Sequence, residues 1–187
     1  MHRLTNPEVA ALITELNLLS RLSGFDPHVI GSMPLAVHTA GSDLDVCRSA
    51  GASLERFKTR LDRQFSGFPD YHSRQNKHCG EPSVIAFFSC RGVPVEIYGR
   101  ARPVRTHESY VHFRVEHTLL ALGGERLRQA VVAAKQGGLN TEAAFAKCLK
   151  LKGDGFSQIL SLASVSPDRL KTLVLAAGFP CHRPANA

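Results

Sequence analysis

The sequence predicts an α+β fold, with a small mixed β-sheet core, flanking helices and a C-terminal helical region. Three observations carry this. Short apolar or alternating segments bounded by glycine turns lie between residues 28 and 99. Three-and-four spacing of apolar residues precedes and interrupts them, and from Thr106 onward every periodic stretch is helical. At 187 residues and 43% hydrophobic, the chain can bury a core. No apolar run approaches the roughly 18–20 residues of a membrane span. "MHRLTNPEVAAL" lacks the layout of a signal peptide, so a cytoplasmic protein is expected. Five cysteines without a C-x-x-C pair suit reduced thiols better than a disulfide framework or a structural zinc site.

Each element has its own signal. Asn6-Pro7 reads as an N-cap with proline in the first turn, and Val9, Leu12, Ile13, Leu16 and Leu19 follow helical spacing until Gly24. "HVIGS" reads as a short strand ending in a glycine turn, and "DLDVC" as a second strand entered through Ala40-Gly41-Ser42. Leu54, Phe57, Leu61 and Phe65 mark an amphipathic helix. A strand is expected around 70–75, within an otherwise polar stretch. "SVIAFFSC", Arg91-Gly92 and "VPVEIYG" read as a hairpin, with Pro94 pushing the start of the second strand towards an edge position or bulge. Helices follow: "HESYVHFRVEHTLLALG" up to Gly123-Gly124, "ERLRQAVVAAKQ" up to Gly137-Gly138, one behind Asn140, and two from about Asp154 and Pro167. The expected organisation is an α/β core over residues 1–105, a helical region over 106–180 packed on it, and a flexible tail over 181–187.

The chemistry starts at "IGSMPLAVHTAGSDLDV", residues 30–46. In a strand, Asp43 and Asp45 project to one face about 6.5–7 Å apart along the chain. Two ionised carboxylates about 6 Å apart repel by roughly 3 kcal/mol at an effective dielectric near 20. A hard divalent cation such as Mg²⁺ removes that conflict and brings phosphate oxygens as further ligands. A lone D-x-D is more often a solvated strand face, but two features add to it. Gly31-Ser32 ends the preceding strand, where glycine lets a polyphosphate approach and the serine hydroxyl can hold its oxygens. Glu96 alternates with the apolar Val95 and Ile97, so it faces away from the core and can join the aspartates if the two strands are neighbours. Three carboxylates around two metal ions about 3.5–4 Å apart suit phosphoryl and nucleotidyl transfer. The net charge of +7, from 23 Lys+Arg against 16 Asp+Glu, favours a polyanionic partner. His72, His78 and Cys79 fit no zinc spacing. His117, in the stripe Tyr110, Phe113, His117 and Leu120, is expected to pack against the core.

Gly-Ser, ten residues, Asp-Leu-Asp-Val and a later strand carrying Glu together resemble the nucleotidyltransferase superfamily typified by DNA polymerase beta. "PSVIAFF", "VPVEIYGRARPV", "SYVHFRVEHTLLALGGE" and "KQGGLNTEAAFAKCLKLKGD" resemble its uncharacterised domain-of-unknown-function family four-two-six-nine, over roughly residues 28–162. The resemblance implies a nucleotidyltransferase core followed by helices. It matches Asp43 and Asp45 to the first two metal-binding acids, Glu96 to the third, and Gly31 and Ser32 to the phosphate-contacting pair. Ser42 is a further nucleotide-binding candidate, as is Arg100, which has Arg102 and Arg105 beside it. Tyr110, His112 and Glu116 match family positions, with His112 counted towards the nucleotide site. "GSMPLAVH" lacks the arginine that minimal members often carry there.

The expected activity is that of a metal-dependent nucleotidyltransferase, moving a nucleoside monophosphate from an NTP such as ATP to a hydroxyl acceptor. Its cofactor would be Mg²⁺, with Mn²⁺ as a substitute, and two ions would sit in the NTP-bound state. The acceptor stays open between a small molecule, an RNA and a protein, and the oligomeric state is open too. The alternative is a catalytically inactive nucleotide- or RNA-binding module on the same fold.

Overall fold

The computed structural model of the protein describes residues 5–180, apart from residues 52 and 79 and the side chains of Leu19 and His78. The expected tail over 181–187 and Cys79 lie outside the described residues. The chain forms two compact units, one of Met1–Pro34 with Ala40–Tyr110 and one of Leu35–Thr39 with Val111–Ala187.

The first unit is built on a five-stranded mixed sheet. Its strands are β1 (His28–Ile30), β2 (Leu44–Ser49), β3 (His72–His78), β4 (Glu81–Cys90) and β5 (Val93–Arg100), in the order β1-β2-β5-β4-β3. Only β2 and β5 run parallel. Alternation sorts the two faces. Leu44, Val46, Val84, Ala86, Phe88, Val95 and Ile97 point to one side, where they are buried against α1 (Asn6–Leu16) and α3 (Leu54–Phe65). Helix α3 supplies Phe57, Leu61 and Phe65, and is capped by Ser53, whose hydroxyl accepts from Arg56 N–H at 3.2 Å. Asp45, Cys47, Glu96, Tyr98, Ile85 and Phe87 point to the other side.

Two local expectations are corrected and one holds. The first helix is capped at Thr5, not Asn6: Glu8 takes hydrogen bonds from the Thr5 N–H at 2.6 Å and hydroxyl at 2.8 Å. That helix also stops at Leu16, because Asn17 adopts a left-handed conformation (φ 45°) before the short α2 (Leu18–Arg21). β5 as a whole lies between β2 and β4, but its start at Pro94 pairs with β4 alone, an edge position as the proline predicts. Pairing with β2 begins only at Val95, and the Ser89 N–H opposite Pro94 donates to Pro69 O at 2.8 Å, so no ladder bond needs a proline N–H.

In the second unit, α4 (Glu108–Gln136) continues from Val111 and is followed by α5 (Thr141–Cys148), α6 (Gly155–Ser161) and α7 (Pro167–Ala176). Its core joins Val115, Leu119, Leu127, Val131, Phe145, Ile159, Leu170 and Val174 to Leu35 and Val37. Arg128 donates to the Leu35 carbonyl. The chain is therefore α+β. No helix among the described residues is long and apolar enough to cross a membrane.

Candidate active site

Parallel pairing sets Asp45 directly opposite Glu96. Both side chains stand on the sheet face away from the helices, one strand spacing (about 4.8 Å) apart between backbones. Asp43 sits in the loop just before β2, not in the strand as expected, and all three acids are half-buried. Burial first, and then the charge of Asp43, push the Glu96 carboxyl up to about 6, against an opposing pull from Arg74. The like-charge contact in the fold is between Glu96 and Asp43, rather than the one read from the sequence within the Asp43–Asp45 pair.

Ile30, the last residue of β1, pairs with Asp45 on the other side. Gly31 follows with φ +77°, and a Cβ built there would come 2.1 Å from Asp45 Oδ2. Glycine is required twice over, by the backbone conformation and by the carboxylate lying against it. Ser32 is buried next to it, while Ser42 is half-buried in the loop that leads to Asp43.

Two residues further along each strand, Cys47 pairs with Tyr98. The Cys47 thiol lies 3.0 Å from His107 Nδ1, and His107 Nε2 lies 3.1 Å from the Arg102 carbonyl. Burial raises the thiol to about 11, with Ser109 and Arg100 opposing. Burial also lowers the imidazole, outweighing the Arg102 carbonyl contact that favours its charged form. A neutral ring donating through Nε2 and accepting the thiol proton at Nδ1 satisfies both contacts. The pair lies further along the same sheet face as Asp45 and Glu96, and the thiol is too protonated to act as a nucleophile. Sequence reading missed His107, whose only signal is its place just after the last strand.

The arginines are already engaged. Arg100, 1% exposed, donates to Glu81 at 3.0 Å and to Glu108, while Arg102 reaches Glu108 at 2.7 and 2.8 Å. Burial would raise the Glu108 carboxyl, but Arg102, its own backbone and Arg100 hold it down to about 2. This network joins the start of β4, the end of β5 and the start of α4, so Arg100 has a structural task independent of any phosphate. Arg105 is exposed.

His112 belongs to the second unit. It is buried, with Nε2 3.0 Å from the Phe156 carbonyl and Nδ1 3.5 Å from Glu142. Glu116 is buried with it. Desolvation and then the charge of Glu142 raise its carboxyl well above the ordinary value, against Lys135, and Oε1 has no hydrogen-bond partner. His117 is exposed, which corrects the expected apolar stripe. The buried side of α4 carries His112, Val115, Glu116 and Leu119, so the polar pair lies inside and His117 outside. Tyr110, in the first unit, packs its ring edge-on to His28 at 5.0 Å.

The sequence profile of the family described as Domain of unknown function (DUF4269) matches residues 11–162.

The chain belongs to the DUF4269 family.

No curated protein matches the DUF4269 chain. Solved structures do match its fold. The Cid1 poly(U) polymerase with MgGTP bound superimposes with a TM-score of 0.53 at 14% identity, over 82% of this chain and 48% of that one. A second Cid1 structure, titled for its RNA terminal uridylyl transferase activity, gives 0.53 at 15%, over 76% and 46%. The GLD-2/RNP-8 complex gives 0.53 at 14%, over 88% and 61%. The DUF4269 chain thus spans about half the length of the structures it matches, and shares the fold of nucleotidyltransferase cores.

The donor chemistry of Asp43, Asp45 and Glu96 fits a hard divalent cation, because such an ion relieves the repulsion that lifts Glu96. Among the described residues, no group of three or more His, Cys, Asp or Glu side chains is drawn together closely enough to hold a metal ion already.

Proposed function

We propose that this chain is a metal-dependent nucleotidyltransferase that moves a nucleoside monophosphate from an NTP to a hydroxyl acceptor. The observation that carries the reading is the Asp45–Glu96 rung, set against the backbone of Gly31. Asp43, Asp45 and Glu96 would hold Mg²⁺ or Mn²⁺, which when bound offsets triphosphate charge and polarises the acceptor hydroxyl. Gly31, Ser32 and Ser42 would receive the triphosphate. The acceptor oxygen bonds to the α-phosphorus, the bridge to the β-phosphate breaks, and pyrophosphate leaves with the electron pair. The acceptor proton passes to Glu96 and from there to solvent.

Asp45→Asn and Glu96→Gln are expected to keep the fold by thermal melting and to lose Mg²⁺-dependent turnover of labelled NTP by about 10²–10³-fold or more. Unchanged turnover in either variant refutes the assignment. A second reading, an inactive binding module, is favoured by the engagement of Arg100 and Arg102 with Glu81 and Glu108. Calorimetry with NTP separates the two, since the enzyme requires Mg²⁺ for NTP binding and the module does not.

A further inference from the structure

Glu96 has two cross-strand neighbours on its face of the sheet: Asp45 of β2 on one side and Phe87 of β4 on the other. Phe87 pairs in turn with His72 of the edge strand β3. The His72 and Phe87 rings are stacked, 5.0 Å apart and 20° from parallel, with His72 Nδ1 3.0 Å from the Asp70 carbonyl. Arg74, next on the same face of β3, holds its guanidinium 5.8 Å from the Phe87 ring. Its charge reaches Glu96. No ion pair engages Arg74 among the described residues. Phe87 and Ile85 are half-exposed, outside the hydrophobic core, while His72, Arg74 and Asn76 are exposed.

This arrangement is unusual for an edge strand. Charges there are normally enough to deter pairing with another sheet, and need no aromatic ring beside them. A half-exposed ring stack with a cation over it, on a basic protein, is instead the equipment that binds unpaired nucleobases: stacking for the base and charge for the phosphate. Double-stranded nucleic acid hides its base faces and cannot use a ring standing on a sheet. From the His72 backbone to that of Glu96 is two strand spacings, about 10 Å, so a base on the stack would leave its sugar beside Glu96.

We propose that the β3–β4 face is the acceptor site, and that it takes the 3′ end of a single-stranded nucleic acid, with the terminal base on the Phe87–His72 stack, its phosphate at Arg74 and its 3′-hydroxyl at Glu96. The acceptor role rests on the transferase reading above; the binding surface does not.

The test uses the full chain and 5′-fluorescein-labelled hexamers of RNA, of DNA and of RNA duplex, titrated by fluorescence anisotropy without metal or NTP. Single strands of RNA, DNA or both are expected to bind, and the duplex at least about tenfold more weakly. Phe87→Leu should weaken binding about tenfold or more, Phe87→Trp should retain it, and Arg74→Ala should lower the slope of log affinity against log salt by about 0.7. Mg·NTP binding by calorimetry should be the same in Phe87→Leu as in the parent. Absence of single-strand binding, or equal binding by Phe87→Leu and Arg74→Ala, overturns the proposal. Mg·NTP binding without hexamer binding removes this face and leaves the transferase standing, while hexamer binding without Mg·NTP binding does the reverse.

Discussion

Gly31 and Asp45 touch, backbone to carboxylate, and that contact governs how the site tolerates change. Gly31→Ala adds a methyl 2.1 Å from Asp45 Oδ2 at φ +77°, so the carboxylate must swing off its rung. The expected result is a loss of about 1–2 kcal/mol in denaturant melts, with NTP turnover falling as far as in Asp45→Asn. Glu96 gives a pH signature. Its folded carboxyl stands at about 6, above the unfolded value, so its contribution is fully favourable below the unfolded pKa and is lost as pH rises through about 6. Glu96→Gln should therefore raise the metal-free melting temperature at pH 8 and leave it unchanged at pH 4. Mg²⁺ should raise the parent's melting temperature at pH 8 but not at pH 5, where the proton holds the ligand. Glu116 follows the same sign in the second unit: buried beside Glu142, it favours the protonated form. Glu116→Gln should raise the melting temperature at pH 8, with the gain vanishing below the unfolded carboxyl pKa. A gain that persisted at acid pH would refute its buried-acid character.

At the scale of elements, the glycine pair at 123–124 shows what local signals convey and what they omit. The sequence marks a helix end there, and the structure breaks α4 at Gly124 (φ 60°, ψ −157°), a region essentially reserved for glycine, before helix resumes at Glu125. Gly124→Ala should cost about 1–3 kcal/mol by chemical denaturation, and a cost near zero would mean that the break is not enforced. Alternation made β2, β4 and β5 legible, and the Arg91-Gly92 turn, with both residues at positive φ, made the hairpin legible. Asn17 misled because nothing local separates a left-handed asparagine from a helical one. His117 misled because the stripe through Tyr110, Phe113 and Leu120 competed with one through Val115 and Leu119, and only packing decides which is buried. His112 and Glu116 then occupy an interior that hydropathy reserves for apolar side chains.

At the scale of the molecule, the sheet order could not be read from the chain. Which strand lies between which others depends on pairings over some fifty residues, such as Leu44 with Val95, and no turn residue encodes them. For the same reason the ring stack of His72 and Phe87 was invisible, since it exists only through the β3–β4 register. Asp45 and Glu96 were legible as outward-facing strand positions because each lies between two apolar residues, whereas Asp43, expected at strand spacing from Asp45, lies in the loop. Asp45 and Glu96 are held by one continuous ladder, whereas Asp43 rides on the loop that follows Gly41. In the proposed site two of the three acids would thus be fixed relative to each other by the ladder, and adjustment to a larger or smaller ion would fall to the third. The choice between neighbouring divalent cations would then rest with Ser42 and Asp43, and could be retuned there without disturbing a single strand.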